Sequence, residues 1–137
     1  MPEDDKESMP DQYKTVSLEE FVEYSKSMFA YWTEDDFASS FRKMLTIEQF
    51  RSEEMQGLYQ QYLSSGPVAY VKDLFESMGI AHVEENAIRF YATTYFYYSV
   101  YDGADDKEKV KNEFASAIGS MAQEWIKQPK LTQIRKS

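Results

Sequence analysis

The stretch IRFYATTYFYYSVYDG, residues 88–103, decides how this chain folds. It brings Phe90, Tyr91, Tyr95, Phe96, Tyr97, Tyr98 and Tyr101 into little more than three helical turns. A buried strand, a core helix and the wall of a site are the three readings. Strict alternation is absent, since aromatic residues run consecutively at 95–98. Length and flanks therefore favour a helix over about 83–102. Glu84 and Glu85 suit its first turn, and Asp102-Gly103 ends it.

On a helical wheel, Ala87, Tyr91, Thr94, Tyr95, Tyr98 and Tyr101 fall on one side. Ala92, Phe96 and Val100 fall on the other, with Arg89 at the end. A helix apolar all round must be buried all round. The chain's own core covers one side, so a partner chain is expected to cover the second. The last helix, 105–127, agrees. Its main stripe is Val110, Phe114, Ala117, Ile118, Met121 and Trp125, and another face carries Ala115, Gly119, Ala122 and Ile126. A mid-helix glycine costs about 1 kcal/mol relative to alanine. Small residues at this spacing let a second helix approach closely; otherwise Gly119 is merely tolerated on a surface. The expected interface is Ala92, Phe96, Val100, Ala115, Gly119, Ala122 and Ile126.

Outward from these two helices the chain reads as helical throughout. Ser17-Leu18-Glu19-Glu20 fits a capping box, and Leu18, Phe21, Val22, Ser25, Met28, Phe29 and Trp32 form a stripe over 18–32. Thr33 opens a second segment with an acidic first turn and the stripe Phe37, Phe41, Met44 and Leu45. Ser52-Glu53-Glu54 restarts the pattern, with Met55, Leu58, Tyr59, Tyr62 and Leu63, stopped by Ser64-Ser65-Gly66. Pro67 suits a first helical position. Val68, Val71, Leu74, Phe75 and Met78 follow, and Gly79 closes that helix. The expected architecture is an all-α antiparallel bundle of about six helices. Residues 1–16 are expected to be a disordered lead-in, 17–128 the folded domain, and 129–137 a short basic tail.

Several tyrosines lie on inward stripes, and a buried phenol wants a hydrogen-bond partner. They suggest an amphipathic cavity rather than a dry core; tyrosines snorkelling at the core edge are the alternative. The expected lining is Phe41, Leu45, Tyr59, Tyr62, Phe75, Tyr91, Thr94 and Tyr98. No buried charge is implied, so a small, neutral or weakly polar hydrophobic ligand is expected.

Composition narrows the function classes. The chain has 137 residues, no cysteine and a net charge of −9. One domain and one core suit that length. Without cysteine there is no disulfide framework and no thiolate site. The acidity reads as a solvated, solubilising surface, and clustered Lys and Arg for phosphate contacts are missing, so direct DNA binding is not expected. No apolar run reaches membrane-spanning length, which points to the cytoplasm and away from the membrane. His82 is the single histidine, and it reads as a surface or cap residue. The pairs Asp35-Asp36, Glu84-Glu85 and Asp105-Asp106 start helices, where they favour the macrodipole. Neither a di-iron ExxH pair nor a phosphate-cradling glycine loop is present. No metal, no cofactor and no catalysis are expected.

The segments FRKMLTIEQFRSEEMQGLYQQYLSSGP (41–67), YVKDLFESMGI (70–80) and AIRFYATTYFYYSVYDG (87–103) resemble the C-terminal domain of tetracycline-repressor-like (TetR) transcriptional regulators. The resemblance covers roughly 28–127. It implies a small, often apolar effector held among the helices, homodimerisation through the last two long helices, and control of an N-terminal helix-turn-helix that binds operator DNA. Residues 1–16 are too few for such a reader. The expectation is therefore an effector domain cut from a longer regulator, or a standalone product that antagonises full-length relatives by heterodimerisation. The chain also has His82-Val83 where the family often has Asp-Pro, and Thr93 where it often has Pro. No ligand-contacting residue is implied by the resemblance.

Overall fold

In the computed structural model, which describes residues 17–127, the chain is all-helical, with no strand among the described residues. The lead-in and the basic tail lie outside that range. In chain order the elements are α1 (Leu18–Glu34), α2 (Asp36–Glu48), α3 (Glu53–Leu63), α4 (Ser65–Met78), α5 (Val83–Gly103) and α6 (Lys107–Lys127).

Local chemistry explains where the helices begin and end. The Glu20 N–H donates to Ser17 Oγ at 3.0 Å and the Ser17 N–H to Glu20 Oε1 at 3.1 Å, a reciprocal capping box. Thr33 does not open α2. It is the buried penultimate residue of α1, its hydroxyl donating to the Phe29 carbonyl at 2.7 Å. Asp35 is the cap of α2 instead, accepting from the Ala38 N–H at 2.9 Å. Ser52 caps α3 in the same way. Only Ser64 separates α3 from α4, and α4 starts two residues before Pro67. Pro67 is still tolerated, because a first-turn N–H has no intrahelical partner to lose. Gly79 closes α4 at φ 76°, where a Cβ would be strained. His82, the cap of α5, takes a left-handed φ of 51° and stays exposed.

Helix α1 lies against α2, α5 and α6, while α3 bridges α2 and α4, α4 packs on α5, and α5 on α6. Two aromatic clusters hold the core. Phe21 meets Phe75 at 5.1 Å and Phe90 at 5.0 Å, with Trp125 closing on Phe75 at 4.7 Å. Phe29 stacks on Phe114 at 4.2 Å and lies 5.5 Å from Tyr98. Such pairs contribute about 0.5–1.5 kcal/mol each beyond the area they bury.

The stripe expected for α2 is rotated. Ala38, Arg42 and Leu45 face inward, while Phe37 and Met44 are exposed and Phe41 is half-buried. The cause is Arg42. Its guanidinium donates to both carboxylate oxygens of Asp102 and, through Nε, to the Trp32 carbonyl. A buried charge held by three hydrogen bonds, two of them to a carboxylate, outweighs the burial of one phenylalanine face.

Helix α5 buries Ala87, Phe90, Thr94, Tyr98 and Tyr101 against the chain's own core. Tyr91 and Tyr95 are half-buried at its flank, and Ala92 and Phe96 are exposed.

Candidate ligand cavity

A cavity of about 250 Å³ opens between α1, the α3–α4 junction and α5. Helix α1 contributes Phe21, Tyr24, Ser25, Met28, Phe29 and Trp32, which share one face because they recur at three- and four-residue spacing. The α3–α4 junction contributes Gln61, Tyr62, Gly66, Pro67, Tyr70 and Val71, and α5 contributes Phe90, Tyr91, Thr94 and Tyr98. No charged side chain lines it. Tyr24, Tyr62 and Tyr70 are largely exposed and form the mouth. Phe29, Phe90, Thr94 and Tyr98 are buried and form the inner end.

Of the eight residues expected to line a site, Tyr62, Tyr91, Thr94 and Tyr98 come together here. The other four sit elsewhere. Phe41 packs edge-on against Tyr62 at 5.3 Å, one ring behind the wall. Leu45 and Phe75 are fully buried in the core. Tyr59 turns to the opposite side of α5, where its hydroxyl pairs with that of Tyr95. Of the six α1 residues in the wall, all but Tyr24 belong to the stripe that the sequence shows over 18–32. Its ring-rich composition, with Ser25 among the rings, is the signal that could have pointed to a wall.

Three polar side chains along the cavity are spent locally. Ser25 Oγ donates to the Phe21 carbonyl at 2.8 Å, Thr94 Oγ1 to the Phe90 carbonyl at 3.1 Å and the Tyr91 hydroxyl to the Leu63 carbonyl at 2.6 Å. Tyr24 is pushed up to about 12, first by burial and then by the neighbouring Tyr70 phenol. Burial raises Tyr91 well above the ordinary phenol range, aided by its neighbours Tyr98, Tyr95 and Tyr59. Burial also raises Tyr98, against the opposing pull of Arg42, whose guanidinium carbon lies 4.9 Å from the Tyr98 ring centroid. These phenols are therefore neutral at physiological pH. The cavity offers aromatic rings and neutral phenol hydroxyls.

No protein-family model, no curated protein and no solved structure matches this chain.

Among the described residues no group of three His, Cys, Asp or Glu side chains is placed to hold a metal ion. Nor is any of their helices long and apolar enough to cross a membrane. Of the residues expected at a partner interface, Phe96 is 60% and Ile126 57% exposed. Ala92 is also exposed, and Val100, Ala115 and Gly119 are half-buried. Ala122 differs, being buried in the chain's own core. It lies in a shallow groove with Leu18 and Val22 of α1, so α1 covers it. A built Cβ at Gly119 meets nothing within 4 Å.

Proposed function

We propose that residues 17–127 form the effector-binding and homodimerisation domain of a TetR-type transcriptional regulator acting in the cytoplasm. The cavity carries this reading. Ligand sites are typically apolar clefts with a few polar groups that fix orientation, and this one joins an uncharged aromatic lining to phenol hydroxyls. A small, hydrophobic, neutral effector fits a space of about 250 Å³. Dimerisation through α5 and α6, as an antiparallel bundle paired with its copy, accounts for the uncovered apolar side of α5, where Ile88 and Phe96 are exposed. The effector would control duplex-DNA binding by a helix-turn-helix, while this acidic domain itself leaves DNA alone.

The test is a thermal-shift screen of neutral hydrophobic compounds. A ligand present at 100 times its dissociation constant stabilises the folded state by about 2.7 kcal/mol. The expected result is a concentration-dependent rise in Tm that Tyr98→Trp, which fills the inner end, abolishes. A broad panel without any shift overturns the effector role.

A further inference from the structure

We infer that the cavity selects a flat, neutral aromatic ligand carrying a hydrogen-bond acceptor, and that the Tyr98 hydroxyl is the donor that reads it. This deepens the effector-site reading above and rests on it.

The inference follows from an accounting of the hydroxyls that lie behind the exposed Tyr24, Tyr62 and Tyr70 of the mouth. Ser25, Thr94 and Tyr91 have each committed their proton to a backbone carbonyl. Tyr98 has not: it is 5% exposed, yet its hydroxyl has no hydrogen-bond partner among the described residues. No fully occluded side-chain nitrogen or oxygen among them lacks a partner. The Tyr98 oxygen is therefore open to the cavity that Tyr98 lines, rather than sealed in protein. A buried polar group left in that state incurs a penalty that a ligand can remove.

Its neighbourhood sets which partner it takes. Burial keeps the proton on the phenol at physiological pH, and Arg42 beside the ring pulls electron density away from the O–H. Both favour donation, so the complementary group is an acceptor such as a carbonyl or an ether oxygen. Ligand charge is disfavoured in either sign. An anion would be stripped of water in a lining without a cationic side chain, and a cation would enter beside a guanidinium already held over the Tyr98 ring. An aromatic ligand, flat by nature, follows from the walls, most of which are rings, among them Phe21, Trp32, Tyr62 and Phe90. With Tyr98 inside and Tyr24 and Tyr70 at the mouth, the acceptor end enters first.

Fluorene and 9-fluorenone test this, since they share one tricyclic skeleton and differ by a methylene against a carbonyl. Binding of each is measured by calorimetry to the wild type, to Tyr98→Phe and to Tyr59→Phe, whose hydroxyl lies outside the cavity. Both compounds are expected to bind the wild type, the ketone about three- to tenfold more tightly, the range one net hydrogen bond gives. Tyr98→Phe should erase that preference while leaving fluorene affinity within about twofold, and Tyr59→Phe should keep it. Fluorene-9-carboxylate should bind more weakly than either. Equal binding of ketone and hydrocarbon, a preference that survives Tyr98→Phe, or tighter binding of the carboxylate overturns this inference and leaves the effector site standing. If neither fluorene nor 9-fluorenone binds, nor any compound of the thermal-shift panel, the effector site itself falls and this inference with it.

Discussion

Arg42 and Asp102 face each other through two parallel hydrogen bonds, Nη1 to Oδ2 at 2.9 Å and Nη2 to Oδ1 at 2.8 Å. The pair ties the middle of α2 to the end of α5, and Nε adds the Trp32 carbonyl near the end of α1 at 3.0 Å. Three helices thus meet on one guanidinium. The Arg42 side chain is 5% exposed and that of Asp102 29%, so the cation is dry and its counterion is half-wet.

That asymmetry predicts unequal damage. Asp102→Ala strands a buried guanidinium, and breaking a buried pair from one side costs about 3–5 kcal/mol. Water reaching the Asp102 side lowers the expectation to about 2–3 kcal/mol. Arg42→Met removes the buried charge and leaves a carboxylate that solvent can reach, so it should cost less than Asp102→Ala. Urea denaturation of both variants checks the order. Equal or reversed losses would show that the pair is not what positions α2.

Arg42 also marks where sequence reading stopped. Three helix ends were legible, because Ser17, Ser52 and Gly79 act through bonds to residues three or four positions away, whereas the starts of α2 and α4 were misplaced by a few residues. The long aromatic helix was legible for the same local reason. The facing of α2 was not, because it is set by a partner 60 positions distant. Periodicity counts arginine as outward and Phe37 as inward, and the structure reverses both. The cavity was half legible. Tyr91, Thr94 and Tyr98 followed from the inward face of α5, but the α1 wall required knowing that α1 crosses α5 beside the α3–α4 junction.

Two glycines should answer alanine with opposite signs. A Cβ on Gly66 runs into the backbone carbonyl of Gln61, where α3 turns into α4 beside the cavity. Backbone cannot move aside as a side chain can, so Gly66→Ala should destabilise by more than about 1 kcal/mol and disturb ligand binding as well. A Cβ on Gly57, in mid-α3, meets nothing within 4 Å. Gly57→Ala should therefore gain up to about 1 kcal/mol in helix propensity. Chemical denaturation of the two variants side by side reads both signs, and a loss at Gly57 would contradict the open surface there.

Alkaline pH should loosen the fold. The unfolded phenol titrates near pH 10, whereas Tyr24 and Tyr59 are pushed up to about 12 in the fold, both mainly by burial. Tyr91 and Tyr98 are raised further. Below about pH 10 both states hold these protons, and the tyrosines add no pH dependence. Between about 10 and 12 the folded state keeps protons that the unfolded state has released, so stability falls as pH rises. Urea midpoints taken from pH 8 to about 11.5 should be level and then decline. Tyr98→Phe should flatten the decline, since it removes one strongly raised group. An identical slope in that variant would assign the decline to other residues.

The proposed dimer can be tested at Gly119, and the open space around it makes the test directional. In the isolated chain a side chain at 119 meets nothing, so Gly119→Ala should stabilise the monomer by up to about 1 kcal/mol. If a second copy packs its α6 there, the same methyl intrudes on a close helix contact. Gly119→Leu intrudes further, and overpacking of this kind costs about 1–3 kcal/mol, or roughly five- to more than a hundredfold in the dimer constant. Phe96→Glu should act in the same direction from α5, placing a carboxylate where an exposed ring now stands. Sedimentation equilibrium is expected to show a wild-type dimer at micromolar concentration, with both variants shifted toward monomer. Circular dichroism should show their helix content unchanged, since neither residue is buried in the chain's own core. A wild-type monomer would remove the dimer from the proposed function. A wild-type dimer indifferent to both substitutions would keep it and move its interface away from α5 and α6.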